Sequence, residues 1–112
     1  MDKTPIVFLL HIRDAINQIE EYIASYSYET FLEDKKTQDA VIRQLEVIGE
    51  ATTNLEDTFK KENPEIPWRE ISDFRNVLAH EYWDVDLEIV WKTVHEDVLA
   101  LKEALVPFLR TT

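Results

Sequence analysis

Arg75, Asn76, His80 and Tyr82 put a permanent cation, a neutral amide, an imidazole and a phenol into one octapeptide, Arg75-Asn76-Val77-Leu78-Ala79-His80-Glu81-Tyr82. Arginine can hold a phosphate through two parallel hydrogen bonds and stabilise charge developing on it. Histidine titrates near neutrality, so it can accept or donate a proton at cellular pH. Asparagine both donates and accepts, which suits it to orient an imidazole or a phosphate. Tyrosine offers a hydroxyl for modification. The chemistry that suits this set is RNA cleavage by internal attack, in which a ribose 2′-OH adds to the adjacent phosphorus and a 5′-OH leaves. DNA has no 2′-OH and would survive. That route requires neither a metal nor another cofactor. The same residues also fit a structural role, with Arg75 paired to a carboxylate, His80 capping a helix C-terminus, and Tyr82 and Trp83 serving as core or interface aromatics.

Helical geometry constrains how the four groups can meet. Asn76 and His80 are four residues apart and share a face, as do Arg75 and Tyr82 at seven. Arg75 and His80 are five apart, about 140° around an ideal helix. A bend near His80, or a second copy of the segment across a dimer axis, would help them converge.

The elements that must position this segment are predicted to be helices. Ile12, Ala15, Ile16, Ile19, Ile23 and Tyr26 recur at three- and four-residue steps, which predicts a first helix from about Pro5 to Tyr26. Residues 27–34 form a connection with room for one helical turn that tucks Phe31 and Leu32 onto the core. Val41, Leu45, Ile48, Thr52, Leu55 and Phe59 alternate four- and three-residue steps, a coiled-coil-like seam predicting a second helix from Lys36 or Thr37 to Lys61. Asp39, Arg43, Glu46 and Glu50 form an ion-pair ladder on another face, and Gly49 allows a neighbouring helix to approach closely. Asn63-Pro64-Glu65-Ile66-Pro67 is a stiff connector, because a residue before proline is pushed out of the helical region. Pro67 suits the first turn of the helix that carries Trp68, Ile71, Phe74, Val77, Leu78 and the octapeptide. Asp86 is a candidate N-cap for a last helix striped with Leu87, Val90, Trp91, Val94, Val98, Leu101, Leu105 and Phe108, which Pro107 bends or stops. The expected fold is all-α: an antiparallel bundle of four to five helices, one domain over residues 1–112, with apolar surface to spare for a homodimer.

Composition narrows the function classes. Hydrophobic residues make up 45% of the 112 and glycine occurs once, so the chain should fold around a core with long helices and short connections. There is no cysteine, which excludes disulfides, zinc–thiolate sites and a thiol nucleophile. The formal net charge of −11 argues against non-specific nucleic-acid binding and fits either a basic partner protein or simple solubility. The apolar run Pro5–Leu10 is too short for a membrane span and lacks the basic leader and cleavage site of a signal peptide, so a soluble cytoplasmic protein is expected. There is no glycine-rich phosphate loop. His11, with Asp14 three residues on, and His95, beside Glu96 and Asp97, show neither Glu-x-x-His nor His-Glu-x-x-His pairing. Both read as helix-surface or boundary residues.

Several segments together resemble a known family. The octapeptide has the form Arg-x4-His-x-Tyr. It follows Thr37-Gln38-Asp39-Ala40-Val41-Ile42-Arg43, Ile48-Gly49-Glu50-Ala51 and Pro64-Glu65-Ile66-Pro67-Trp68, and it leads through Val85-Asp86-Leu87 to Trp91. This ordered set, from about Phe8 to Leu109, resembles the HEPN-domain ribonuclease toxins, most closely the HepT-like branch. The resemblance implies a helical homodimer whose two motifs face one cleft, and a metal-independent endoribonuclease with Arg75 and His80 as catalytic pair and Asn76 in support. It implies a toxin–antitoxin pairing with an MNT-type nucleotidyltransferase that transfers AMP to Tyr82. The added charge and bulk would then keep an RNA phosphate from Arg75. A non-catalytic helical partner or substrate subunit of a nucleotidyltransferase is the alternative, as is a plain structural dimer.

Overall fold

The computed structural model describes residues 5–72 and 86–109, and all regular structure among them is helical. The helices are α1 (Pro5–Ile23), α2 (Tyr28–Leu32), α3 (Lys35–Asn54), α4 (Asp57–Glu62), α5 (residues 68–72), α6 (Leu87–His95) and α7 (Asp97–Leu109). The expected four to five helices become more and shorter ones, because both long helices read after the first connection are broken.

α1 stops at Ile23 rather than Tyr26. The Tyr26 N–H turns back to the Ile23 carbonyl at 3.0 Å, and its phenol is held by Asp34. The same Asp34 caps α3 through the Thr37 N–H at 3.1 Å and accepts the Thr37 hydroxyl at 2.9 Å. One carboxylate thus ties the end of α1 to the start of α3. Between them, the expected helical turn is α2, opened by a reciprocal capping box of Ser27 and Thr30. Phe31 is fully buried as expected, but Leu32 is 42% exposed, because a single turn can point only one of these neighbours inward. Buried Gln38 donates to the Phe31 carbonyl at 2.9 Å and fixes α2 on α3.

The second expected helix divides at Leu55 and Glu56, whose ψ angles of 142° and 148° are extended. Thr52, Thr53 and Asn54 bend their side chains back to the carbonyls of Ile48, Gly49 and Glu50 at 2.8, 2.9 and 3.1 Å. Such back-bonding offers the backbone an alternative to continuing the helix. The seam still holds: Val41, Leu45, Ile48, Thr52 and Leu55 are buried, and Gly49 is buried beside them. Phe59 rides on α4, between Trp68 at 5.9 Å and Phe108 at 5.4 Å. The expected ladder is shared differently, with Arg43 on Glu46 at 3.6 Å and Asp39 on Lys35 at 2.9 Å. Exposed pairs of this kind contribute only tenths of a kcal/mol.

The last helix is interrupted at Glu96, with φ −117° and ψ −66°. His95 Nδ1–H donates to the Trp91 carbonyl at 2.8 Å, while the Glu96 N–H still bonds the Lys92 carbonyl at 2.9 Å. The apolar stripe survives the break: Val90, Val94, Val98, Leu101 and Leu105 are all buried. Pro107 lies inside α7, two residues from its end at Leu109, and so does not stop it.

The core lies chiefly between α1 and α3, with α7 along a second side of α1. Lys102 of α7 reaches Glu20 of α1 at 2.8 and 2.9 Å, and Leu109 shares a groove with Arg13, so these helices run in opposite directions. Among the described residues no helix is long and apolar enough to cross a membrane.

Candidate functional site

Arg75, Asn76, His80 and Tyr82 lie outside the described residues. The chain that enters and leaves their segment is described on both sides. On the entering side the Pro64–Pro67 connector leads into α5. Ile66 and Trp68 are buried, and the Trp68 indole donates to the Asn63 carbonyl at 3.0 Å. Asn63 in turn donates through its side chain to Phe59 at 2.9 Å. Burying a large apolar side chain stabilises by roughly 1.5–3 kcal/mol, so Trp68 fixes where α5 begins. The Ile71 N–H bonds the Pro67 carbonyl at 3.2 Å, which places Pro67 at the helix start as the sequence suggests.

On the leaving side Asp86 caps α6, accepting from the N–H groups of Glu88 at 2.9 Å and Ile89 at 3.4 Å. Its charge also opposes the positive end of the helix dipole. Trp68 and Asp86 are thus chemically defined anchors on the described chain either side of residues 73–85. Next to α5 is a cavity of about 290 Å³ lined by Leu45, Ile48, Ile71 and Leu101, with the carboxylates of Glu70 and Asp97 among its walls.

Behind the α6 cap stands an aromatic group that sequence reading did not single out. The Trp91 ring lies 5.1 Å from Phe31, 6.1 Å from Tyr28 and 4.3 Å from His95. Trp91 was legible as one position of the last helix's stripe, but Tyr28 belongs to a connection with no periodic signal. Partial burial pushes the Tyr28 phenol above its ordinary pKa, reinforced by the negative charges of Glu88, Asp86 and Glu29. The Asp34 carboxyl is shifted the other way. The Tyr26 hydroxyl holds it below the usual range, helped by the Thr37 N–H and hydroxyl. His11, 6.3 Å from Phe8, and His95 are both exposed on helix surfaces as expected. Among the described residues no group of three or more His, Asp or Glu side chains is arranged to hold a metal ion.

Comparison with known proteins bears on what these anchors hold. The family described as ribonuclease HepT-like matches residues 12–107, a span that includes the whole octapeptide. The chain belongs to the ribonuclease HepT-like family. Among HepT-like relatives, "Probable ribonuclease HepT" of Thermococcus cleftensis is 52% identical over 95 residues, covering 85% of this chain and 86% of that protein. "Putative RNase TTE0752" of Caldanaerobacter subterraneus subsp. tengcongensis is 34% identical over 108 residues, 96% of each chain. A third, "Gamma-glutamylcyclotransferase and putative RNase MJ0434" of Methanocaldococcus jannaschii, is 38% identical over 109 residues. That match takes in 97% of this chain but 49% of the relative, so the HepT-like chain spans about half of that protein. No solved structure matches the chain.

Proposed function

We propose that this chain is a metal-independent endoribonuclease and the toxin of a toxin–antitoxin pair, with Arg75 and His80 as its catalytic pair. The observation that carries the reading is the family match across residues 12–107, which contains Arg75-x4-His80-x-Tyr82 unbroken. Relatives matched over most of their length are named ribonucleases.

In the proposed reaction the ribose 2′-oxygen bonds to the adjacent phosphorus and gives up its proton to a base. The bond from phosphorus to the 5′-oxygen breaks, and that oxygen takes up a proton. The products are a 2′,3′-cyclic phosphate and a 5′-hydroxyl end. His80 supplies the proton transfer, Arg75 holds the phosphate oxygens as charge builds on them, and Asn76 orients the imidazole or the phosphate. Because Arg75 and His80 diverge on one ideal helix, a homodimer that faces two motifs across a cleft gives each phosphate both groups. The off-switch is adenylylation by an MNT-type nucleotidyltransferase. The Tyr82 oxygen attacks the α-phosphorus of ATP, pyrophosphate leaves, and the phenolic proton passes to solvent. On an ideal helix the resulting phosphodiester is one face-repeat from Arg75, where it competes with RNA.

Expression of the chain alone, beside His80→Ala, tests the reading. Wild type should arrest growth and degrade RNA while the variant does neither. Equal growth with intact RNA in both would overturn the toxin reading and leave the non-catalytic partner and the plain structural dimer. Mass spectrometry after incubation with the nucleotidyltransferase and ATP should place an AMP adduct on Tyr82, and an adduct on another residue would refute the switch.

A further inference from the structure

One half-buried aromatic and apolar face remains outside the nuclease reading. Tyr28 and Leu32 are four apart on α2, and Glu88, Trp91 and His95 follow one stripe of α6. The two helices meet where the Tyr28 and Trp91 rings lie 6.1 Å apart over buried Phe31. Tyr28 and Trp91 are only partly covered, and Leu32 is 42% exposed. Around them the charge is mostly negative. Residues 24–36 carry Glu29, Glu33 and Asp34 against Lys35 and Lys36, and residues 86–97 carry Asp86, Glu88, Glu96 and Asp97 against Lys92. Glu29, Glu33, Asp86 and Glu88 are exposed.

We propose that the Tyr28–Leu32–Trp91 face is a docking surface for a basic segment of a partner protein, one that presents arginine beside an apolar side chain. A guanidinium set over the exposed part of a tyrosine or tryptophan ring gains a cation–π attraction and can bond a neighbouring carboxylate at the same time. Glu29 and Glu88 are those carboxylates, and Leu32 takes the apolar neighbour. The charge excludes the other occupants. A second copy of this face would set Glu29 and Glu88 against their own kind, while RNA phosphates and anionic lipids meet the same repulsion. Burial first, and then the negative charges of Glu88, Asp86 and Glu29, raise the pKa of the Tyr28 phenol, which is consistent with that field. This inference goes beyond the nuclease reading and stands whether or not the chain cuts RNA.

The test uses the whole chain and a synthetic helical peptide that presents Arg and Leu at four-residue spacing, beside the same peptide with Glu for Arg. Binding is followed at physiological salt by calorimetry and by the Trp91 indole N–H resonance, assigned with Trp91→Phe. The Arg peptide should bind and move that resonance, and the Glu peptide should do neither. Glu29→Lys with Glu88→Lys should weaken binding roughly tenfold. Glu65→Lys with Glu103→Lys, an equal charge change at exposed positions elsewhere, should weaken it by less than about threefold, since distant charges are screened. Equal weakening by both pairs would reduce the effect to general attraction for an acidic protein and overturn the proposal. So would a silent Trp91 resonance in the wild type, or one moved instead by poly(U) RNA, by phosphatidylserine vesicles or by raising the concentration of the protein itself.

Discussion

At the scale of single residues, Asp34 has the most clearly defined role among the described side chains. It accepts from the Tyr26 phenol, the Thr37 hydroxyl and the Thr37 N–H, and each bond favours its ionised form. Its folded pKa is therefore depressed below the unfolded value. The stability this carboxylate contributes is fully present above the unfolded aspartate range and is lost as pH falls through the lower folded value. Thermal unfolding of wild type and Asp34→Asn should therefore differ at neutral pH, with the variant less stable, and the gap should close in strong acid. A gap independent of pH would mean that the hydroxyl and cap bonds do not depend on the charge. Nothing in the sequence marked this group, because Tyr26 lies beyond the end of α1 and meets the Asp34 cap of α3 only when the chain turns.

At the scale of elements, apolar periodicity was the legible signal and local hydrogen-bond competition was not. The central positions of the stripes of α1, α3 and the last two helices are buried where their spacing put them, while Ile23, Leu87, Trp91 and Phe108 are half-buried. The Asp86 cap and the proline connector are also where residue chemistry put them. The breaks at Leu55–Glu56 and at Glu96 escaped the reading, because each leaves its apolar stripe intact. Before the first break Thr52, Thr53 and Asn54 bond their side chains to carbonyls of their own helix, an alternative to continuing it. The short α2 was expected, but its outward Leu32 was not. Phe31 is the buried hinge of that element, touching Trp91 on one side and accepting Gln38 on the other. Phe31→Ala should cost about 3–5 kcal/mol in urea unfolding, the range for a buried aromatic truncated in a core. A cost below about 1 kcal/mol would show that α2 is not part of the cooperative unit.

At the scale of the whole molecule, a chain of net charge −11 in a ribonuclease family raises the question of how the proposed RNA substrate would be held. Long-range attraction cannot do it, so binding must be local. If a dimer presents two Arg75 side chains to a single strand, the logarithm of kcat/KM should fall with the logarithm of salt at a slope of about −1.4, from roughly 0.7 per phosphate contact. A much steeper slope would require a basic track that the composition does not supply. Sizing by light scattering should give a dimer under the same conditions, and a monomer with full activity would show that one octapeptide suffices. The candidate site itself was legible only as residue types and order. Geometry on one ideal helix sets Arg75 and His80 apart, and the anchors at Trp68 and Asp86 define the ends of their segment rather than its interior.

The most direct measurement is the chemistry of the cut ends. A single-stranded RNA incubated with the purified chain in the presence of a chelator should yield 2′,3′-cyclic phosphate and 5′-hydroxyl termini. His80→Ala should slow that cleavage by about 10²–10⁴-fold, the usual contribution of a proton-transfer group, and a 2′-deoxy nucleotide at the cut position should block it. Cleavage that leaves 5′-phosphate ends, proceeds at a 2′-deoxy position or survives His80→Ala undiminished would contradict the account.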